Sequence, residues 1–281
     1  MNAVTHVLAC SLLLTTTACF DPIVGTDCTH AGLADCDGYC VPVAEATGEC
    51  TLPDCDGDNC APACEGDDCS PVPTPFGHVV LIGEDFAADR ANPVAARILG
   101  NAVFMARDQT VRVAEFRGEA TDRAVNNAYA AIDAAAADFG RSWLVVGDAG
   151  DDVALVLAKA NVLLIHSQPA FYRGDQGLLG LGRSWRSGLT DFLARGGIIV
   201  LLDGPSSHSG TVQILAAAGV VAQDSCRPAI STELSLIDPT DAISVGVPAR
   251  YHSSSARRFV GASDGGVVSD GVGAVVVHVV Y

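Results

Sequence analysis

Past Gly77 the chain alternates between two hydrophobic periods, and that alternation narrows its architecture more than any other feature. HVVLIG (78–83), VRVAEF (111–116), WLVVG (143–147), NVLLIH (161–166) and GIIVLLD (197–203) are short apolar runs, as expected of strands buried on both faces. Between them the spacing turns helical. Asn92 and Pro93 make a helix start, with Asn as cap and Pro at the first helical position. Val125, Ala128, Tyr129, Ile132, Ala136 and Phe139 then mark one helical face, and Gly140 ends it. Leu178, Leu181, Trp185, Leu189, Phe192 and Leu193 do the same before Arg195 and Gly196. Such a series predicts an α/β domain over 77–281, a parallel sheet with helices on both faces. After Val221 the pattern breaks into short pieces closing with AVVVHVVY, so a β-rich C-terminal section is expected.

The segment before this domain has a different chemistry. Residues 20–75 hold twelve of the 33 acidic residues and no Lys or Arg, so most of the net charge of −17 belongs here. No basic patch of the kind that phosphate-backbone binding requires is visible, and nucleic acid is not an expected partner. Cys28, Cys36, Cys40, Cys50, Cys55, Cys60, Cys64 and Cys69 crowd into a stretch rich in Gly, Asp and Pro that cannot build an apolar core. That density reads as a disulfide framework in an oxidising compartment. Zinc is the competing reading, but there is no CxxC pair and only His30 is close by. The units CDGYC, CDGDNC and CEGDDC each look like a tight turn flanked by cysteines, since Gly accepts positive φ. Asp54, Asp56 and Asp58 alternate like the start of a calcium loop, which is a lesser reading of this segment. The segment is read as an acidic, cross-linked stalk over 19–76, ending in the stiff proline linker SPVPTPFG.

Residues 7–14 are apolar but too few to span a bilayer, which suits the h-region of a signal peptide over 1–18. Small residues lead to Ala18 and Cys19. This stretch, which includes Cys10, resembles a bacterial lipoprotein signal. The resemblance implies cleavage before Cys19 and acylation of its sulfur and amine, at about 0.8 kcal/mol per CH₂ buried in the bilayer. Phe20, where inner-membrane retention uses Asp, implies the outer membrane, facing the periplasm or the surface. Cleavage with free secretion is the alternative.

IIVLLDGPSSHSGT (198–211) raises the question of catalysis. It runs from a strand into a turn and then toward a helix, where a hydrolase would keep a nucleophile. A nucleophile elbow needs a second Gly so that strand and helix can approach, and here His208 occupies that place after Gly204, Pro205, Ser206 and Ser207. Ser206 and His208 are therefore read as helix-capping residues. The late histidines, His252 and His278, are not followed by the Glu an amidotransferase uses, and Cys226 lies in QDSCRPA, in a loop reading away from the turn. Ligands of parallel sheets bind beyond the carboxyl ends of the strands. Those ends carry Glu84, Asp85, Asp148, His166, Ser167, Asp203 and Ser206, which are the ligand-binding candidates. Three acids and a histidine could bind sugar hydroxyls or a divalent metal, or be polar only because strand ends meet water.

The order of elements, with GGIIVLLDG and a late DPTDAISVGVP before the terminal strands, resembles the class I glutamine amidotransferase-like proteins of flavodoxin-like fold, in particular the trehalose-utilisation type. The resemblance covers most of 77–281, but the catalytic cysteine of that family is missing from the turn. The expected function is that of a lipid-anchored envelope protein whose non-catalytic domain binds a ligand, a glycan or an envelope partner, with no catalytic residue, metal or cofactor. The rival is an extracytoplasmic hydrolase of glycans or small polar substrates using the strand-end Asp/His cluster.

Overall fold

The computed structural model describes residues 77–281 apart from 151, 172, 207, 208 and 262–264, together with a short N-terminal hairpin. The chain divides into two units, Met1–Pro62 and Ala63–Tyr281. In the first, β1 (Leu33–Cys36) and β2 (Tyr39–Pro42) pair antiparallel with Cys36 opposite Tyr39. The signal, the acylation of Cys19, the disulfides and the calcium loop all concern residues or side chains outside the described set.

The second unit is a mixed α/β domain. β3 (His78–Ile82), β4 (Thr110–Phe116), β5 (Ser142–Asp148), β6 (Val162–Ile165) and β7 (Ile198–Leu202) run parallel in the spatial order β3-β7-β6-β4-β5. β13 (Ala274–Val280) lies antiparallel on the open side of β3. Beyond it β12 (Gly266–Ser269), β9 (Glu233–Leu236) and β10 (Arg250–His252) complete a nine-stranded sheet. β8 (Cys226–Pro228) and β11 (Arg257–Phe259) form a separate antiparallel pair. The β-rich C-terminal section is therefore mostly an extension of the main sheet, which makes that sheet mixed rather than purely parallel. Its last strand is the most deeply set, with Val275, Val276 and Val277 fully buried. The order also differs from the flavodoxin one, where the first strand sits between the second and third. Here β3 pairs with β7 and β13 instead.

Right-handed crossovers explain where the helices lie. From β3 through α1 (Pro93–Val103) to β4, and through α2 (Asp122–Phe139) to β5, the chain moves one way along the sheet. From β5 through α3 (Val153–Leu157) to β6, and through α4 (Gly174–Ala194) to β7, it moves back. The reversal sends the two sets of helices to opposite faces. Val79, Leu81, Ala114, Leu163, Ile165, Ile199 and Leu201 accordingly pack with Leu178, Trp185, Leu189 and Phe192 of α4. The alternate residues of the same strands face the α1–α2 layer. β4 and β6 are the neighbours at which the direction reverses, and there the connections leave a crevice.

Local signals set the helix limits. Asn92 accepts from Val94 N at 2.9 Å with Pro93 leading α1, and Thr121 accepts from Ala124 N at 3.2 Å to start α2. Gly140 closes α2 at φ 62°, a conformation that costs any residue with a Cβ. α5 (Gln213–Ala218) packs so closely on α4 that a Cβ at Gly182 would stand 2.1 Å from Ile214 O. The predicted strand over 143–147 forms as β5, but at the sheet edge, so the expectation that it is buried is corrected. Its Leu144 is 46 % exposed because only one neighbour, β4, covers it. No helix among the described residues is long and apolar enough to cross a membrane.

Candidate functional site

Each parallel strand delivers polar residues at its carboxyl end, but the domain sorts them into separate environments. After β3, Glu84 is 1 % exposed and accepts hydrogen bonds from Ser253 Oγ at 2.6 Å and Tyr251 Oη at 3.2 Å. Burial pushes its carboxyl above the usual range, and the nearby charge of Asp85 adds to the rise against those two bonds. Asp85 folds back to accept from Ala87 N at 2.8 Å. Both acids line a cavity of about 440 Å³ shared with Arg90, Asn92, His252 and the serines at 253–255.

The turn after β7 is sealed. Asp203 is fully buried and its Oδ2 accepts from Val212 N at 3.0 Å and from Cys226 Sγ at 3.1 Å, while Oδ1 completes no hydrogen bond among the described residues. Burial pushes the Asp203 carboxyl up despite these donors. It also pushes the Cys226 thiol up, helped by the neighbouring carboxylate charge. Arg257, itself buried, threads beneath the turn and donates to Ser206 Oγ at 2.6 Å, Gly204 O at 3.2 Å and Cys226 O at 2.8 Å. Gly204 joins this turn to its neighbours, because a Cβ there would lie 3.4 Å from both Asp85 Oδ1 and Ser167 Oγ. Ser167 Oγ already accepts from Gly204 N at 3.1 Å.

Two expectations are corrected here. Ser206 does not cap the following helix, since α5 starts at Gln213 and its capping residue, Val212, offers no side-chain bond. Asp203 takes that role from the strand end by accepting from Val212 N, while His208 lies outside the described residues. Cys226, read as remote from the turn, begins β8 directly beneath it, and its N–H donates to Ser209 O at 2.6 Å. An antiparallel pair made by β11 brings it there, a contact with no local signature in the sequence.

A third environment lies at the β4–β6 crevice. His166 is fully buried, its Nε2 stands 3.4 Å from Glu115 Oε2, and neither ring nitrogen completes a hydrogen bond among the described residues. Tyr129 Oη donates to Glu115 at 2.5 Å and Arg117 Nε stands 3.2 Å from its other oxygen. Burial opposes ionisation of Glu115, but the His166 and Tyr129 contacts and the Arg117 charge outweigh it and hold the carboxyl below the usual range. Gln168 braces the crevice by donating to His166 O and Arg117 O, both at 2.8 Å. Glu115, Arg117 and Tyr129 escaped the sequence reading, although a lone Glu in the apolar run VRVAEF is a usable signal. Asp148, on edge strand β5, only turns back to accept from Gly150 N at 2.8 Å.

Asp148 and His166 thus do not join the acids at β3 and β7, so the picture of three acids and a histidine around one ligand is corrected. Among the described residues no group of three or more His, Cys, Asp or Glu is placed to hold a metal ion.

No family model matches the chain, and no curated protein matches it. A solved structure that does match is a crystal structure of a peptidase from an acI-B1 Actinobacterium, 11 % identical over 46 % of this chain, with a TM-score of 0.29. The match spans 55 % of that peptidase, about half its length, and a likeness so slight carries no argument about activity.

Proposed function

We propose that residues 77–281 are a binding domain, not an enzyme, and that a lipid on Cys19 holds it in a cell envelope through the acidic cysteine-rich stalk. The observation that carries this reading is the Cys226–Asp203 bond beneath the strand-to-helix turn. Burial and the neighbouring carboxylate charge both oppose the thiolate, whereas an activated nucleophile needs surroundings that favour it. Ser206 likewise takes a hydrogen bond from a guanidinium, which cannot act as a base. The resemblance to the class I amidotransferase-like proteins enters this proposal as the source of the strand–turn–helix arrangement, with its chemistry lost.

The ligand cavity is the one at the end of β3. Carboxyls, hydroxyls and an arginine around about 440 Å³ suit a small polyhydroxylated molecule or the end of a glycan. The hydrolase reading keeps one supporting observation, the raised carboxyl of Glu84 beside Asp85, since environments that separate two carboxyls are how acid and base roles arise. One experiment divides the readings. Wild type, Glu84→Gln and Asp85→Asn are passed over a glycan array and assayed with generic glycoside and ester substrates. Binding by wild type that weakens about tenfold or more in Asp85→Asn, with no turnover, is expected. Turnover by wild type that disappears in Glu84→Gln would replace this proposal with the hydrolase.

A further inference from the structure

The two-stranded ribbon of β8 and β11 sets like charges against each other. Arg258 pairs with Arg227 across it, and residues directly opposite on antiparallel strands present their side chains on one face. Like charges so placed repel, which costs the ribbon stability that a neutral pair would keep. Neither guanidinium is fully matched. Arg227 is exposed and its side chain has no hydrogen bond or ion pair among the described residues. Arg258 is mostly covered, and its Nη1 stands 3.6 Å from Asp270 Oδ2 without completing a hydrogen bond among the described residues.

Asp270 is already committed. Buried after β12, it accepts from Ile230 N at 2.8 Å on Oδ2, and from Val272 N at 2.9 Å and Gly273 N at 2.8 Å on Oδ1. Burial opposes its ionisation, but these amides and the Arg258 charge outweigh it and hold the carboxyl below the usual range. The β12–β13 connection therefore lies firmly on the stem of Arg258, where a Cβ at Gly273 would stand 3.2 Å from Arg258 Cδ. Ribbon and connection enclose a cavity of about 430 Å³, lined by both arginines, by Val260 and Val272 and by Gly261 and Gly273. No acid, hydroxyl or amide side chain is among its described lining residues. Val260 is 37 % exposed and Val272 66 %, so apolar surface stands open beside the unmatched charges.

We propose that this cavity binds an aliphatic carboxylic acid as its anion, with the carboxylate between Arg227 and Arg258 and the chain over Val260 and Val272. Two guanidiniums less the Asp270 carboxylate leave one net positive charge, which a monoanion balances. The planar carboxylate matches the guanidinium fork, and its charge replaces the repulsion across the ribbon with two attractions. The lining offers a polar body nothing to bond beyond the arginines, so the rest of the ligand is hydrocarbon.

The test uses the full chain at neutral pH, with isothermal titrations of octanoate, acetate, octylammonium and N-acetylvaline. Octanoate is expected to bind about tenfold or more tightly than acetate, a margin that two covered methylenes supply. It should exceed octylammonium, which has the chain but the wrong charge, by at least as much. Arg227→Gln should lose about tenfold or more in octanoate affinity while its ligand-free melt is unchanged or raised, because the repulsion goes with the guanidinium. Val272→Ser should weaken octanoate severalfold. Acetate or octylammonium binding as tightly as octanoate, or unchanged octanoate affinity in Arg227→Gln, overturns the proposal. So does a lowered melt in that variant, which would make Arg227 a support of the fold, or no octanoate binding at millimolar concentration. N-acetylvaline binding more tightly than octanoate would replace the hydrocarbon acid with the end of a peptide.

Discussion

Cys226 Sγ donates to Asp203 Oδ2 over 3.1 Å, tying the start of β8 to the turn after β7 across 23 residues of sequence. Burial raises both groups, the Asp203 charge makes the thiol harder still to ionise, and the thiol's hydrogen bond works the other way on the carboxylate. Cys226 should therefore resist iodoacetamide in the folded protein and react readily once the chain is unfolded without reductant. Cys226→Ala removes one of the donors to a buried carboxylate and should cost roughly 1–3 kcal/mol. Comparing alkylation rates in native and denaturing buffer, with a melt of the variant, checks both statements. Rapid native alkylation would mean that the thiol is neither buried nor held.

Glu84 predicts a pH dependence of stability. Its folded pKa is raised by burial, so the folded state binds a proton more tightly than the unfolded chain does. Stability from this group is then present below the ordinary carboxylate range and declines as pH rises through the raised value. Glu84→Gln imitates the protonated form and should flatten that decline, leaving the variant at least as stable as wild type at neutral pH. Melting curves from pH 4 to 8 on both proteins read the difference directly, and an unchanged slope would count against the burial argument.

His78 acts with the opposite sign. Its pKa is lowered to about 4 by burial and by His278, so the unfolded chain is the better proton acceptor between pH 6.5 and 4. Stability is complete above about pH 6.5 and is lost as pH falls toward 4. The groups around the ring are His278, Asp241 and Arg107, of which Asp241 alone favours protonation. His78→Asn should keep more of its neutral-pH stability at pH 4.5 than wild type does, which acid melts of the two will show.

How far the sequence could be read depends on the range of the interactions involved. The five parallel strands and the helices α1, α2 and α4 were legible because burial on both faces and helical spacing are local patterns, and Asn92 and Gly140 limit helices through bonds within a few residues. The placement of β13 was not legible, because an apolar run does not say which edge it will cover. WLVVG carries the same composition as its buried neighbours yet forms the exposed edge β5, for the same reason. Glu84, Asp85, Ser167 and Asp203 could be placed at strand ends from the sequence. Arg257, Tyr251 and Ser253 could not, since they reach those ends from strands and loops about fifty residues or more away in sequence.

The envelope proposal has its own direct check. Mass spectrometry of the mature protein recovered from membranes should find Cys19 as an acylated N-terminus. The eight cysteines from Cys28 to Cys69 should stay unlabelled in denaturant without reductant, while Cys226 labels. A free N-terminus at another residue would refute the anchor, and labelling of several cysteines would refute the disulfide framework.

The position of β13 sets a schedule for the whole molecule. A ribosome or an export channel that works from the N-terminus delivers β13 after every other strand of the sheet, yet it lies between β3 and β12. Until it arrives, β3 keeps an open edge of unpaired amides and carbonyls, and β12, β9 and β10 have nothing to join. The parallel half must therefore wait as an incomplete body that is prone to wrong strand pairing. A chain delivered unfolded across a membrane would need a holding chaperone over that interval, and loss of the residues after Gly273 would make the interval permanent.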